Sequence, residues 1–397
     1  MIVRQFLHWV RQAPPGERAE AVSALARAYL YSELSQDDLA AAEGAMIMLL
    51  DDPSPLVRQA LAEAFAGAEN APRVVVQALA DDQPEVAVPV LRHSPLLHVD
   101  ELVDLIATGR FEVQVAIASR EQLPRALAAA IAEVGEAEAC LALLFNPDAD
   151  IAAFSLQRIV DRFGHLAPIR ECMLSRDDLP MAMRQSLLSK LSQTLAGFVS
   201  ARHWMRVEHA EDAAREACEK ATVALAAETS WEEMEALVQH LRATGQLTAG
   251  MLLRALLCGN LALFEQALAE LADLPIDRVS AYLNDRNTSG FHALYRKAGL
   301  PDTAYPAFRE AIAAVRAGFL IGEQGGEATL KRRMVERVLH ACSAEDAPQN
   351  VTVLALLRRF AVEAAREEAR LFCDDLVTGA CVMEGDAAGD YPRLAAA

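Results

Sequence analysis

The sequence predicts an all-α protein: an α-solenoid of stacked helical repeats, followed by a second helical module. Hydrophobic residues make up 53% of the 397 residues and aromatic residues only 6%, a balance that favours helices packed through small side chains. Segments with apolar residues at helical spacing alternate with short corners that contain proline, aspartate or glycine. In the first half of the chain, this alternation recurs at a nearly constant interval, as it does in helical-repeat proteins.

The clearest corner lies within LLDDPSPLVRQALAEAF, residues 49–65. Proline lacks an N–H group and fixes its own φ, so Pro53 and Pro55 interrupt the helical pattern. Ser54 is suited to cap the next helix, and Pro55 suits its first position, where the missing N–H group costs nothing. The segment therefore predicts a helix, a tight corner and a second helix.

This corner and its following helix recur in register along the first half of the chain. Equivalent apolar positions are Val57, Val86, Val113 and Ala139, which are 29, 27 and 26 residues apart. A unit of this length cannot bury its apolar face alone, so neighbouring units are expected to stack.

The segment from Asp52 to Arg58 resembles the corner of HEAT-like repeats and of the leucine-rich repeat variant. The region from Tyr29 to Leu195 also resembles an alphaproteobacterial family known only as a domain of unknown function. The motifs that carry this resemblance are YLYSELSQDD, LLDDPSPLVRQALAEAF, LRHSPLLHVDELVDLI, VAIASR, LLFNPDADI and, further on, GFHALYRKAGLP. The resemblance implies stacked helices and a bacterial cytoplasmic origin, and it implies no activity.

Beyond the repeats, the pattern predicts a second helical module over 200–321, which begins with one long helix over 200–228. Ser230 is placed to cap the next helix, and Gly245 to end it. The glycine-rich GEQGGEA segment, 322–328, predicts a linker. The predicted domains are therefore residues 1–199 (solenoid), 200–321 (second module), 322–383 (linker and terminal helical pair) and 384–397 (disordered tail).

Charge argues against two classes of partner. The chain has 37 Lys and Arg against 56 Asp and Glu, a net charge of −19, whereas binding to nucleic acids or anionic membranes requires clustered positive charge.

The seven cysteines are dispersed without a C-x-x-C pair, which predicts reduced, packed thiols. No apolar run approaches the ~20 residues of a membrane-spanning helix, so we expect a soluble cytoplasmic protein.

One candidate binding site follows from the repeat register. Seven residues after each apolar anchor of the last three repeats lie His93, Arg120 and Asn146, and Arg92 is adjacent to His93. Stacking would align these side chains into a ladder that could bind an acidic or phosphorylated segment. The alternative is that they cap the carbonyl groups at the ends of their helices.

A second candidate is the densest basic cluster of the chain, which includes Lys331, Arg332 and Arg333. It could form a docking surface for an acidic partner. The alternative is that these cations pair with the acidic residues of the chain itself.

The sequence shows no catalytic motif, and it predicts no catalytic residue, cofactor or metal site. The predicted function is therefore non-catalytic: a protein–protein interaction scaffold or regulatory adaptor. Two alternatives remain open. One is a sensor of a small ligand or second messenger, which would use the ladder and the region from His240 to Tyr295. The other is an enzyme such as the HEAT-like DNA glycosylases or bilin lyases.

Overall fold

The computed structural model describes residues 8–10, 12–285, 288–317, 327–344 and 351–387. Within these ranges, the regular structure consists of α-helices and one 3-10 turn, without a β-strand, as the sequence predicts. The chain forms two compact units, Met1–Leu179 and Pro180–Ala397. Residues 322–326 of the predicted linker and 388–397 of the predicted tail lie outside the described residues.

Besides the helical residues 8–10, the described part of the first unit contains eleven helices. They are α1 (Pro15–Tyr31), α2 (Gln36–Leu49), α3 (Pro55–Phe65), α4 (Arg73–Ala80), α5 (Pro84–His93), α6 (Val99–Thr108), α7 (Phe111–Ala118), α8 (Arg125–Val134), α9 (Ala137–Phe145), α10 (Ala153–Phe163) and α11 (Ala167–Leu174). Each odd-numbered helix contacts the next odd-numbered helix, from α1 to α11. In the same way, α6 contacts α8, and α8 contacts α10. The equivalent positions Val57, Val86, Val113 and Ala139 are all buried in this packing.

Aspartate, rather than serine, stabilises the corner before α3. Pro55 is the first residue of α3 as predicted, but the side chain of Ser54 makes no capping hydrogen bond. Instead, the carboxylate of Asp52 accepts a hydrogen bond from the Ser54 N–H group at 2.9 Å. The same carboxylate binds both Arg18 Nε and Arg18 Nη2, at 2.9 and 2.7 Å. The predicted serine cap is therefore wrong, because Asp52 both forms the turn and links α1 to the start of α3.

The second unit contains ten helices and the 3-10 turn Asp302–Ala304 within its described residues. The helices are α12 (Met181–Ala201), α13 (Val207–Ala227), α14 (Trp231–Ala243), α15 (Ala249–Leu257), α16 (Leu261–Ala272), α17 (Ile276–Asn284), α18 (Thr288–Lys297), α19 (Tyr305–Arg316), α20 (Glu327–Ala344) and α21 (Val351–Ala387). Helix α15 is buried at every position from Met251 to Leu257 and contacts α13, α16, α19 and α20. It is the central helix of this unit.

Two features of the second unit differ from the sequence prediction. The unit begins at Pro180, so the predicted boundary at 199/200 falls inside α12. The single helix predicted over 200–228 is wrong, because α12 ends at Ala201 and α13 starts at Val207. The chain reverses there with His203 at a φ of 58°, a left-handed conformation that no glycine or proline in the sequence signals.

Two predicted helix ends are confirmed. The Ser230 side chain accepts a hydrogen bond from the Glu233 N–H group at the start of α14. Gly245 follows α14 with a φ of 69°, which glycine adopts without strain. Among the described residues, no helix combines the length and the apolar character needed to cross a bilayer.

Candidate functional site

The ladder residues of the first unit have two different roles. Arg120 is half-buried, and its guanidinium donates to the carbonyl oxygens of Leu91 and, at 2.6 Å, Ser94, at the end of α5. The Asn146 amide donates to the carbonyl oxygens of Ala118 and Arg120 at the end of α7, both at 2.8 Å. Both side chains thus link one helix end to the preceding one, 26 to 29 residues earlier.

Arg92 and His93, in contrast, are exposed. Arg92 lines a surface cleft of about 330 Å³ together with Arg120 and Asn146. Phe145 is exposed at the same cleft. Arg92, Arg120 and Asn146 thus line one cleft, whereas His93 is not among its lining residues. Arg92 supplies an accessible positive charge there and Phe145 an accessible aromatic ring.

The basic cluster of α20 is engaged within its own unit. Lys331 Nζ lies 2.8 Å from a carboxylate oxygen of Glu367. Arg332 binds Glu336 and Glu368, both at 2.8 Å. Arg333 is exposed on the same helix. Lys331 and Arg332 thus follow the alternative prediction for this cluster, pairing with the acidic residues of the chain.

Behind this cluster lies a buried charge network centred on Arg254 of α15, whose side chain is 3% exposed. Arg254 Nη1 contacts Glu363 at 2.7 Å, and its guanidinium lies 4.3 Å from the centre of the Phe360 ring. Burial raises the pKa of Glu363, but hydrogen bonds from Arg254 and Lys220 outweigh this effect and hold the pKa below its usual value. The network fixes α21 against α13 and α15.

The reversal between α12 and α13 carries a contiguous group of exposed large side chains. The rings of Phe198 and Trp204 meet edge to face, with 5.9 Å between their centres. The Arg202 guanidinium carbon lies 4.5 Å from the centre of the Phe198 ring and 5.6 Å from that of Trp204. We name this surface the hairpin tip; it consists of Leu195, Phe198, Arg202, Trp204, Met205 and Val207, all exposed.

Four of the thiols offer little nucleophilic chemistry. Burial raises the pKa of Cys140 to about 11, and it also raises the pKa values of Cys172, Cys218 and Cys258. A thiol with a raised pKa is a poor nucleophile at neutral pH, because the thiolate is the reactive form. No group of three potential metal ligands occurs among the residues that the structure describes.

His240 and Tyr295 bound the region that the sequence suggested for a sensor, and both are engaged inside the protein. Tyr295 is fully buried, and its hydroxyl donates to the Pro301 carbonyl oxygen at 2.7 Å. His240 Nε2 lies 3.1 Å from the buried amide oxygen of Gln185 and 3.0 Å from Ser186 Oγ. Both side chains take part in internal hydrogen bonding.

A family model described as an uncharacterised protein conserved in bacteria (DUF2336) matches residues 86–346, about two thirds of the chain. The chain belongs to the DUF2336 family. The resemblance to a bacterial family of unknown function, indicated by the sequence motifs, is thus confirmed. Neither a curated protein nor a solved structure matches the chain. The DUF2336 region includes the ladder residues, the hairpin tip and Lys331 to Arg333, and it ends before α21.

Sequence reasoning missed the hairpin tip. In the sequence, Phe198, Trp204 and Val207 fall within helical patterns, where apolar residues normally indicate a buried face. One feature of the sequence does indicate them: the segment FVSARHWMRV is rich in large side chains, although the chain as a whole is only 6% aromatic.

Proposed function

We propose that this protein is a non-catalytic recognition module, a scaffold or adaptor of the bacterial cytoplasm, that binds a protein partner through the hairpin tip. The proposal rests on one observation: the Phe198 and Trp204 rings and the Arg202 guanidinium contact one another on an exposed surface, and the next residue along the chain, Met205, is exposed as well. Contiguous apolar surface of this kind is typical of interaction sites. Trp, Phe, Met and Arg are also the residue types enriched where protein interfaces concentrate their binding energy.

The chemistry of the hairpin tip defines the surface that it would bind. Trp204 and Phe198 offer an apolar anchor, and Arg202 stacks on both rings with its guanidinium edge available for hydrogen bonds. A complementary partner would present an apolar pocket with a carboxylate at its rim. This is consistent with an acidic segment as the ligand.

We also infer that α1–α11 form an α-solenoid of HEAT-like repeats. The support is the contact of each odd-numbered helix with the next, together with side-chain links that recur 26 to 29 residues apart. Such arrays present extended surfaces, and the cleft beside Arg92 and Phe145 is a second candidate contact for a partner.

Native mass spectrometry of the protein, purified mildly from its own cells, tests the proposal. Trp204→Ser removes the anchor of the hairpin tip. Trp231→Ser is the matched control, because Trp231 is 59% exposed and Trp204 68%, but Trp231 begins α14 outside the tip. We expect a stoichiometric partner on the wild-type protein and on Trp231→Ser, with affinity reduced roughly 30-fold by Trp204→Ser.

Three outcomes would contradict binding through the hairpin tip. The partner could be retained in full by Trp204→Ser. Alternatively, Arg92→Glu could abolish binding of the partner while Trp204→Ser leaves it unchanged, which would place the interface at the cleft of the first unit. A small-molecule adduct with no protein partner would instead favour a sensor.

A further inference from the structure

A cavity of about 480 Å³ lies between α12 and α13, within the second unit. Its inner end is closed by the segment from Thr244 to Thr248 and by Met251. The volume falls in the range of small-molecule sites in proteins. Val207 of the hairpin tip lines it, but Phe198 and Trp204 do not. The size of the space suits a small molecule.

The facing sides of α12 and α13 explain why this space exists. Two long packed helices normally face each other with large apolar residues. Here α12 lines the space with Ser189, Ser192, Ala196, Gly197 and Ser200, which are small and mostly hydroxylated. The small side chains of α12 therefore leave an open space beside α13 instead of a continuous core, and the hydroxyl groups of three serines lie in its wall.

Two carboxylates give the cavity its charge. Thr248 Oγ1 donates to one oxygen of Glu219 at 3.0 Å and accepts from the Met251 N–H group at 3.1 Å, which fixes the carboxylate near the inner end. The second oxygen of Glu219 accepts no hydrogen bond from a described residue. Glu211 lines the outer part of the cavity. Arg215 also lines it, but this arginine is bound to Asp212, so its charge is matched.

The spacing of these carboxylates selects the shape of a ligand. Glu211 and Glu219 are eight residues apart on α13, which separates them by about 12 Å along the helix axis. A ligand that satisfies both needs two ammonium groups at the ends of an extended chain. Serine and threonine hydroxyls between the carboxylates would accept hydrogen bonds from any amine in the middle of that chain.

We propose that this cavity binds a linear polyamine of the length of spermidine, with its terminal ammonium groups on Glu211 and Glu219. The net charge of −19 on the whole chain would attract such a cation at long range. The inference goes beyond protein recognition, because neither carboxylate belongs to the hairpin tip.

Calorimetric titration at about 0.15 M salt, where long-range attraction is screened, tests the length requirement. The ligands are spermidine, 1,8-diaminooctane and 1,4-diaminobutane. We expect one site for the two longer amines and about tenfold weaker binding of 1,4-diaminobutane, because it reaches only one carboxylate. Equal affinity for the long and short diamines would overturn the proposal.

Variants locate the site. Glu211→Gln and Glu219→Gln should each weaken spermidine binding about tenfold, since each removes one charge-assisted contact. Glu232→Gln, an exposed residue of α14 outside the cavity, removes the same charge and should leave binding unchanged. If Glu232→Gln weakens binding as much, spermidine is only a counterion of an acidic protein.

Two substitutions of Gly197 test the site without changing any charge. A methyl group at Gly197 would meet no atom within 4 Å, so Gly197→Ala should fold and bind like the wild type. Gly197→Leu places a larger side chain at the cavity wall and should abolish spermidine binding. Circular dichroism of both variants verifies that the fold is kept. Full spermidine binding by a folded Gly197→Leu would overturn the proposed site.

Discussion

At the scale of single residues, Arg120 illustrates how a position suited to ligand binding is used for packing. Its guanidinium is half-buried and donates to two carbonyl groups at the end of α5, while Arg92 nearby is exposed. Carbonyl groups at a helix end have no partner within the helix, and a cation satisfies them well. The two arginines line the same cleft, yet they should contribute very differently to stability.

Arg120→Ala should lower the free energy of opening of α5 and α7 by about 2–3 kcal/mol, because it removes charge-assisted bonds and leaves partly buried carbonyl groups unpaired. Arg92→Ala is the control and should change it by less than about 0.5 kcal/mol. Hydrogen exchange of peptides from both helices measures the effect locally. Similar protection in both variants would show that Arg120 does not hold these helices together.

At the scale of helices, the attachment of α21 depends on a charge buried in α15. Arg254 is 3% exposed and contacts Glu363 at 2.7 Å, and Lys220 lies 2.9 Å from the same glutamate. Removing one partner of a buried ion pair leaves the other charge without compensation. The packing of α21 should therefore be more sensitive to Arg254 than to any exposed arginine of α21.

Arg254→Met should lower the free energy of opening of α15 and α21, measured by hydrogen exchange, by about 2–4 kcal/mol. The loss stays below that of an isolated buried charge because Glu363 still pairs with Lys220. Arg358→Met changes an exposed arginine of α21 and should have little effect. Unchanged protection in Arg254→Met would mean that Phe360 and the apolar contacts alone secure α21.

The helices and corners of the first unit could be predicted because their signals are local. Proline at 55 begins α3, and the equivalent apolar positions, from Val57 onward, are buried as their spacing indicates. These signals depend on backbone chemistry and on one apolar face per helix. The burial of the apolar positions spaced 29, 27 and 26 residues apart follows from the same two properties.

The candidate sites could not be predicted in the same way, because they depend on pairing between distant residues. Lys331 lies 36 residues from its partner Glu367, and no local pattern reveals that contact. The reversal at His203 has no glycine or proline, so the sequence indicated one helix where there are two. Both the hairpin tip and the cavity depend on that reversal.

At the scale of the whole molecule, the net charge of −19 is combined with a local concentration of positive charge. Five cations line a groove of about 580 Å³ on the second unit: Lys220, Arg358, Arg359, Arg366 and Arg370. The same groove contains Glu216, Glu363 and Glu367, which bind cations within the network of Arg254. The local excess of positive charge is therefore small beside the negative charge of the chain.

This balance predicts how the protein behaves towards DNA, and it separates protein recognition from the glycosylase alternative. Binding of duplex DNA requires several cations aligned with phosphates, and it strengthens steeply as salt falls. We expect no retardation of duplex DNA in a native gel at about 50 mM salt and micromolar protein, because long-range repulsion opposes the approach of a polyanion. Arg366→Glu together with Arg370→Glu should leave that result unchanged. Retardation that disappears in this double variant would contradict protein recognition as the main function, and it would make the groove of α21 a nucleic-acid site.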